Sequence, residues 1–337
     1  MINSIFLENS LTNNPFAQNI LKNFKHINPI LIDNYQDYWG RVKKPYLQKR
    51  DDLSLFIAQK KGQLVKAAPA AYGTIGQAHY YFIHAYNCIY ECQYCYLQGY
   101  FNTPDLVLFV NHEDIIEEIK LTLEKNLAID PHNSIWFHAG EFSDSLALNH
   151  LTGELPLYFD FFSKNPKAIL ELRTKSTNIK PILSLEPTSN IILSFSLSPE
   201  EVSKSIDLKT PSLLHRLKAM QQLHEKGFQL AVHFDPIIYS PEFNNHYKIL
   251  IDQLSQRVPL ASLSYVSIGV ARYTKDVYRE VENNYPDSPL HKVPLYSSFN
   301  GMLRYSRPLR GWMLGNIQET LINNGLEKSK IYWCMES

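Results

Sequence analysis

Eight residues, Cys88-Ile89-Tyr90-Glu91-Cys92-Gln93-Tyr94-Cys95, hold three of the four cysteines of this 337-residue chain. The spacing is C-x3-C-x2-C. Three thiolates offered by one loop suit a metal centre, because soft sulfur ligands select zinc or iron–sulfur clusters. A cubane cluster has four irons and is usually held by four cysteines, so a loop with three leaves one iron open to a small-molecule ligand. A structural zinc ion usually takes four protein ligands in paired spacing. The zinc reading therefore needs His84, His79 or the distant Cys334 as its fourth ligand. A disulfide framework fits poorly, since the cysteines are sparse and three are bunched.

The residues around the loop constrain the fold. From residue 79 onward short apolar runs alternate with stretches of helical periodicity. Tyr80–Ile83 leads into the cysteines, and Ser134–Phe137, Ala168–Leu172, Asn190–Phe195, Phe228–Phe234 and Tyr265–Val270 follow as strands. Between them lie helical patterns, among them Glu113–Leu123, His150–Phe162 and Ser212–Glu225, the last stopped by Gly227. Strands separated by helices imply a parallel α/β sheet with right-handed crossovers. Such sheets carry their chemistry at the strand C-termini, and the cysteine loop follows the first strand. The expected organisation is a lead-in segment over residues 1–78, a core over 79–270 and an irregular extension over 271–337. In the lead-in, Leu53–Ile57 and Gln63–Val65 read as a hairpin. The basic stretch holding Arg41, Lys43, Lys44, Lys49 and Arg50 reads as a solvated loop, with phosphate binding as the less common use.

Charge and hydropathy exclude some classes. Lys plus Arg equals Asp plus Glu at 33 each, which argues against a broadly basic nucleic-acid binder and leaves room for a local patch. No run reaches the ~18 apolar residues of a membrane span. The N-terminus shows no secretory signal pattern, so the cytoplasm is the expected compartment. No acidic residue lies between Ser288 and Gln318, where Arg304, Tyr305, Arg307 and Arg310 interleave with other aromatics. Asn300-Gly301 is a hairpin turn signal, and such a hairpin can contact phosphate and stack a base. Covering the barrel is the alternative use.

The cysteine loop resembles the signature of the radical S-adenosylmethionine (SAM) superfamily. Several stretches are similar to its spore photoproduct lyase family: Tyr94-Cys95-Tyr96-Leu97-Gln98, Phe109-Val110-Asn111, Ser143-Asp144, Arg173-Thr174-Lys175, Phe195-Ser196-Leu197, Lys226-Gly227-Phe228 and Arg272-Tyr273-Thr274. The resemblance implies an open (β/α)6 partial TIM barrel. It implies a [4Fe-4S] cluster on Cys88, Cys92 and Cys95, and SAM held by Ser143, Lys175 and Ser196. Tyr96 matches a tyrosine proposed to relay hydrogen atoms. The implied substrate is DNA carrying a thymine lesion or a nucleotide-like molecule, with a reducing partner such as flavodoxin or ferredoxin.

One position departs from the family. Two residues before the serine matched by Ser143, the family carries a cysteine that gives a hydrogen atom to the substrate radical. This chain has Glu141. Gly140-Glu141 instead resembles the Gly-Gly-Glu motif whose carboxylate binds the SAM amino group. Cys334 is a substitute thiol if the C-terminal tail folds back over the barrel; a buried apolar cysteine is the plainer reading. Glu141 also opens a second reading, radical chemistry on another modified base. A non-catalytic metal and nucleic-acid-binding protein is a third.

Overall fold

β-branched and apolar runs of three to nine residues form the central sheet of this computed structural model, which describes residues 2–69 and 77–336. Its strands lie in the order Val65–Ala67, Ala78–Phe82, Ile135–Ala139, Ala168–Thr174, Ile191–Ser196, Gln229–Ile237, Val266–Val270 and Ile331–Trp333. From Ala78–Phe82 to Val266–Val270 neighbouring strands are parallel, giving the six expected strands of an open barrel. Alternate residues face opposite sides. In Ala168–Thr174, Leu170 and Leu172 join the large core beneath the helices. Ile169 packs inside, near Trp136, Ile192, Tyr265 and Tyr332.

The helices follow their sequence signals. Leu213–Lys226 is capped by Ser212, whose hydroxyl accepts from the His215 amide, and it ends at Gly227 with φ of 98°, a left-handed conformation that glycine adopts without a Cβ penalty. The single helix expected over His150–Phe162 is broken. Gly153, at φ 72°, separates Asn149–Thr152 from Leu155–Lys164.

Residues 1–78 are more than a lead-in. Ile2–Glu8, Ile30–Ile32 and Leu53–Ala58 lie parallel in one sheet with Leu106–Phe109, which comes after the cysteine loop, and Ala85–Tyr86 pairs antiparallel at its edge. The expected hairpin between Leu53 and Val65 does not form. Leu53–Ala58 lies in this sheet, whereas Val65–Ala67 runs antiparallel to the first barrel strand. Fully buried apolar strands cannot be assigned to one sheet or another by alternation, and Leu53–Ala58 is buried on both faces.

The extension is also more regular than its sequence suggests. It contains helices Lys275–Asn284 and Arg307–Asn323, and Ile331–Trp333 adds a seventh parallel strand beside Val266–Val270. Tyr296–Ser297 and Leu303–Arg304 pair antiparallel around the Asn300-Gly301 turn, as the turn signal requires. Among the described residues, no helix is long and apolar enough to cross a membrane.

Candidate active site

The cysteine loop is clamped from three directions. Glu91 and Cys92 pair antiparallel with Leu208 and Asp207. The Glu91 carboxylate is 0% exposed and accepts from Arg50 Nε at 2.8 Å and Tyr285 OH at 3.0 Å. A buried carboxylate needs such partners to offset its lost hydration. Tyr94 donates its hydroxyl proton to Asp207, which also takes Arg216 Nη1 at 3.2 Å and Nη2 at 3.3 Å. Arg216 reaches on to the Ser196 carbonyl oxygen at 3.0 Å, tying the loop to the end of the fourth strand. Within the loop, the Gln98 side-chain amide donates to the carbonyls of Gln93 and Cys95.

The thiols sit beside two ammonium groups. Lys49 Nζ donates to the Cys88 carbonyl at 2.9 Å from a side chain that is 2% exposed. Lys175 Nζ lies 5.4 Å above the Tyr94 ring, and its charge favours the Cys92 thiolate. Burial, and after it the Asp144 carboxylate, pushes the Cys88 thiol up to about 12, and burial with Asp207 puts Cys92 well above its usual range, so bonding to a metal is what would hold them as thiolates. Among the described residues, no group of three or more His, Cys, Asp or Glu side chains is arranged to hold a single metal ion. Three cysteines with two nearby cations fit a cluster in which each sulfur takes a separate iron.

The candidate SAM residues cluster against this loop. Gly140 has φ of 85°, and the next carbonyl, that of Glu141, accepts the Tyr96 hydroxyl proton. Asp144 stitches the following turn to the third strand. Its carboxylate accepts from Thr174 Oγ1 at 2.6 Å and the Lys175 amide at 2.7 Å, and also from the amides of Leu146 and Ala147. Glu141 thus meets the loop through Tyr96, Lys175 through Tyr94, and Ser196 through Arg216. Ser143 lies in the turn that Asp144 holds, its amide donating to the Gly140 carbonyl at 3.2 Å.

The tail residues behave differently. The fold carries Cys334 past the end of the seventh strand, where its amide bonds the Ile268 carbonyl at 2.8 Å. Arg272 Nη2 lies 3.7 Å from its sulfur while gripping Asp235 with both guanidinium arms. The thiol is pushed up to about 12, mainly by burial and then by Asp235. Arg304 and Tyr305 are 4% and 2% exposed, so the hairpin does not present them as expected. Arg304 turns inward to the Met335 carbonyl, and Arg310 to Glu336 and the Tyr305 carbonyl. Arg307 is exposed, and the hairpin shows solvent Tyr296 and Phe299 instead.

Sequence reasoning missed several members of the site. Lys49 and Arg50, read as part of a solvated loop, hold the cysteine loop. Asp207 and Arg216 carry no local motif. Inside the barrel, Glu171 accepts from Ser194 at 2.6 Å and Tyr265 at 2.6 Å, pairs with His233 at 2.8 Å, and contacts His138. Burial would raise the Glu171 carboxyl, but Arg173 and His138 hold it well below the usual range. The available signal was an ionisable residue at an inward strand position, in Glu171-Leu172-Arg173.

Comparison with known proteins gives one family. The family model described as spore photoproduct lyase matches residues 3–293. Among curated proteins, the spore photoproduct lyase of Bacillus subtilis (strain 168) is 25% identical over 63% of this chain and 62% of its own length. That of Clostridium acetobutylicum is 22% identical over 60% and 59%. The chain thus spans about three fifths of the length of the curated relatives it matches. A solved spore photoproduct lyase variant with bound AdoMet and dinucleoside spore photoproduct superposes with a TM-score of 0.82 at 18% identity, covering 100% of this chain and 99% of the other. Another, complexed with dinucleoside spore photoproduct, gives 0.80 at 19% over 99% and 98%. These likenesses establish that the chain shares the open-barrel fold of the solved spore photoproduct lyases.

Proposed function

The chain belongs to the spore photoproduct lyase family, and from that premise we propose that it is a radical SAM enzyme acting on a thymine lesion in DNA or a nucleotide-like substrate. The observation that carries this reading is the three-cysteine loop held against the turns bearing Glu141, Lys175 and Ser196. Cys88, Cys92 and Cys95 hold a [4Fe-4S] cluster. Glu141, Ser143, Lys175 and Ser196 hold SAM, the ammonium of Lys175 suiting its carboxylate. Cluster and SAM together supply a 5′-deoxyadenosyl radical that abstracts hydrogen. Tyr96, beside the Glu141 carbonyl, is the hydrogen-atom relay. Cys334 is the one thiol of this sequence outside the cluster loop, and it is the side chain this chain offers as a thiol donor to the substrate radical. Arg307 contacts the substrate backbone, while Arg304, Tyr305 and Arg310 brace the hairpin from beneath. A low-potential donor such as flavodoxin or ferredoxin supplies the electron, in the reducing cytoplasm where free cysteines persist.

The test is anaerobic reconstitution with iron and sulfide, then dithionite and SAM. Formation of 5′-deoxyadenosine supports the reading; its absence from a brown, cluster-loaded protein sinks it. DNA containing spore photoproduct then asks whether thymines are restored, and Cys334→Ala asks whether that thiol matters. Glu141 favours a second reading, in which the radical acts on a different modified base. Full SAM cleavage with no repair of spore photoproduct selects it.

A further inference from the structure

A cavity of about 380 Å³ opens beside the N-terminal sheet and is lined by Tyr35, Gln36, Trp39, Arg41, Tyr86 and Phe101. Its rings are ordered. Trp39 stacks on Tyr86 at 5.2 Å and meets Phe101 edge-on at 5.0 Å. The indole N–H is already given to the Asp105 carbonyl at 2.9 Å, so Trp39 has only its ring faces to offer a ligand. Arg41 stands at the rim with its side chain 64% exposed, steadied by the Gln36 carbonyl at 2.7 Å. Phe101 also lines a neighbouring cavity of about 340 Å³ that holds Lys43 and Lys44.

The rings continue to the candidate active site. Phe101 contacts Tyr100 at 4.9 Å, and Tyr100 contacts Tyr96 at 6.1 Å. Tyr96 in turn bonds the Glu141 carbonyl. Tyr100 is 58% exposed and Tyr96 39%, so the path is open along the surface. A purely structural cluster would close over its rings; this one leaves a concave mouth with a cation beside it. The nearby acids do not cancel that cation. Asp37 lies 3.5 Å from Arg41 with both side chains exposed, a pairing worth little in water. Lys43 and Lys44 line the neighbouring cavity, Lys44 paired with the buried Asp105, so Arg41 is the charge lining this groove that can meet a phosphate.

We propose that this groove binds a nucleobase and its phosphate from the strand flanking the substrate, the base stacking on the Trp39–Tyr86–Phe101 rings and the phosphate meeting Arg41. The inference rests on the nucleic-acid reading above. Aromatic platforms beside a cation bind single strands with little sequence preference. The groove therefore serves any base and sets the length of strand bound.

The test compares a lesion-free hexathymidylate with a thymidine dinucleotide, each fluorescently labelled, by anisotropy on the cluster-loaded protein. The hexamer is expected to bind roughly tenfold more tightly. Arg41→Glu should remove most of that advantage and flatten the salt dependence by about one phosphate, while leaving dinucleotide binding unchanged. Trp39→Leu should do the same if circular dichroism shows it folded; should it unfold, the rim variant alone decides. A hexamer that binds no better than the dinucleotide, or an advantage that survives Arg41→Glu, overturns the proposal. SAM cleavage by the unmodified protein without oligonucleotide reports separately on the radical chemistry.

Discussion

Lys49 buries its ammonium group 2.9 Å from the Cys88 carbonyl, on the loop that carries all three candidate cluster ligands. Among the described residues no carboxylate lies within salt-bridge distance of it, Glu91 on the same loop acting only at longer range, and a buried lysine so placed needs a further anion to offset its lost hydration. A cluster with thiolate ligands is such an anion. Lys49→Met should therefore act with opposite signs on two states. The metal-free fold should be as stable as the parent or more so, because a costly buried charge is gone. The reconstituted protein should lose iron several-fold faster. Thermal melting of the apo form and iron release to a chelator measure the two effects.

Asp207 is the joint between the cysteine loop and the fourth strand, bonding Tyr94 and Arg216 together. Arg216 is 0% exposed. Asp207→Asn leaves that guanidinium buried without a countercharge, which costs about 3–5 kcal/mol. Urea unfolding should show a loss of that size. Removing both charges with Asp207→Leu and Arg216→Met should cost much less than the two single losses combined, because no unpaired charge remains.

Gly140 is needed for two reasons. Its φ is 85°, and a Cβ there would lie 2.5 Å from Ser145 Oγ and 3.1 Å from the Ser145 amide nitrogen. Gly140→Ala must displace the turn carrying Glu141 and Ser143. The expected result is a SAM affinity reduced at least tenfold with the cluster still bound, read by calorimetric titration alongside the iron content. Unchanged affinity would remove this turn from the SAM site.

Two buried groups set opposing pH dependences. Burial pushes the Glu154 carboxyl up to about 7. The folded protein then keeps a proton that the unfolded chain loses near ~4.3, so this stability is full below that pH and fades as pH rises to 7. At pH 8 the loss is about 4 kcal/mol, and Glu154→Gln should recover much of it. Burial also lowers His112 to about 3. His112 stays neutral when folded, whereas the unfolded chain takes up a proton below ~6.5, so its stability is present above that pH and fades as pH falls toward 3. The two slopes oppose each other between about 4.3 and 6.5. In Glu154→Gln the opposition ends, and stability should rise with pH throughout that window by chemical denaturation. A flat profile in the variant would contradict the His112 assignment.

The sequence by itself determined the chemistry of the cysteine loop, the six parallel strands and the turns at their C-terminal ends. Each of these is written locally: three thiols within eight residues, short apolar runs spaced by helical periodicity, and a stop signal such as Gly227. Tertiary structure alone decided which sheet Leu53–Ala58 and Leu106–Phe109 would join, since a strand buried on both faces has no alternation to reveal its neighbour. It also decided that Lys49 is buried against the cysteine loop and that Arg50 reaches the loop's Glu91 from the surface, while Arg41 stays in solvent. The three lie in one basic stretch, and only long-range partners such as Glu91 and Cys88 distinguish them. Cys334 makes the same point. Its place at the barrel mouth depends on a strand pairing with Val266–Val270 across some sixty residues. That pairing is won by burial over the whole sheet, and no short stretch of sequence encodes it.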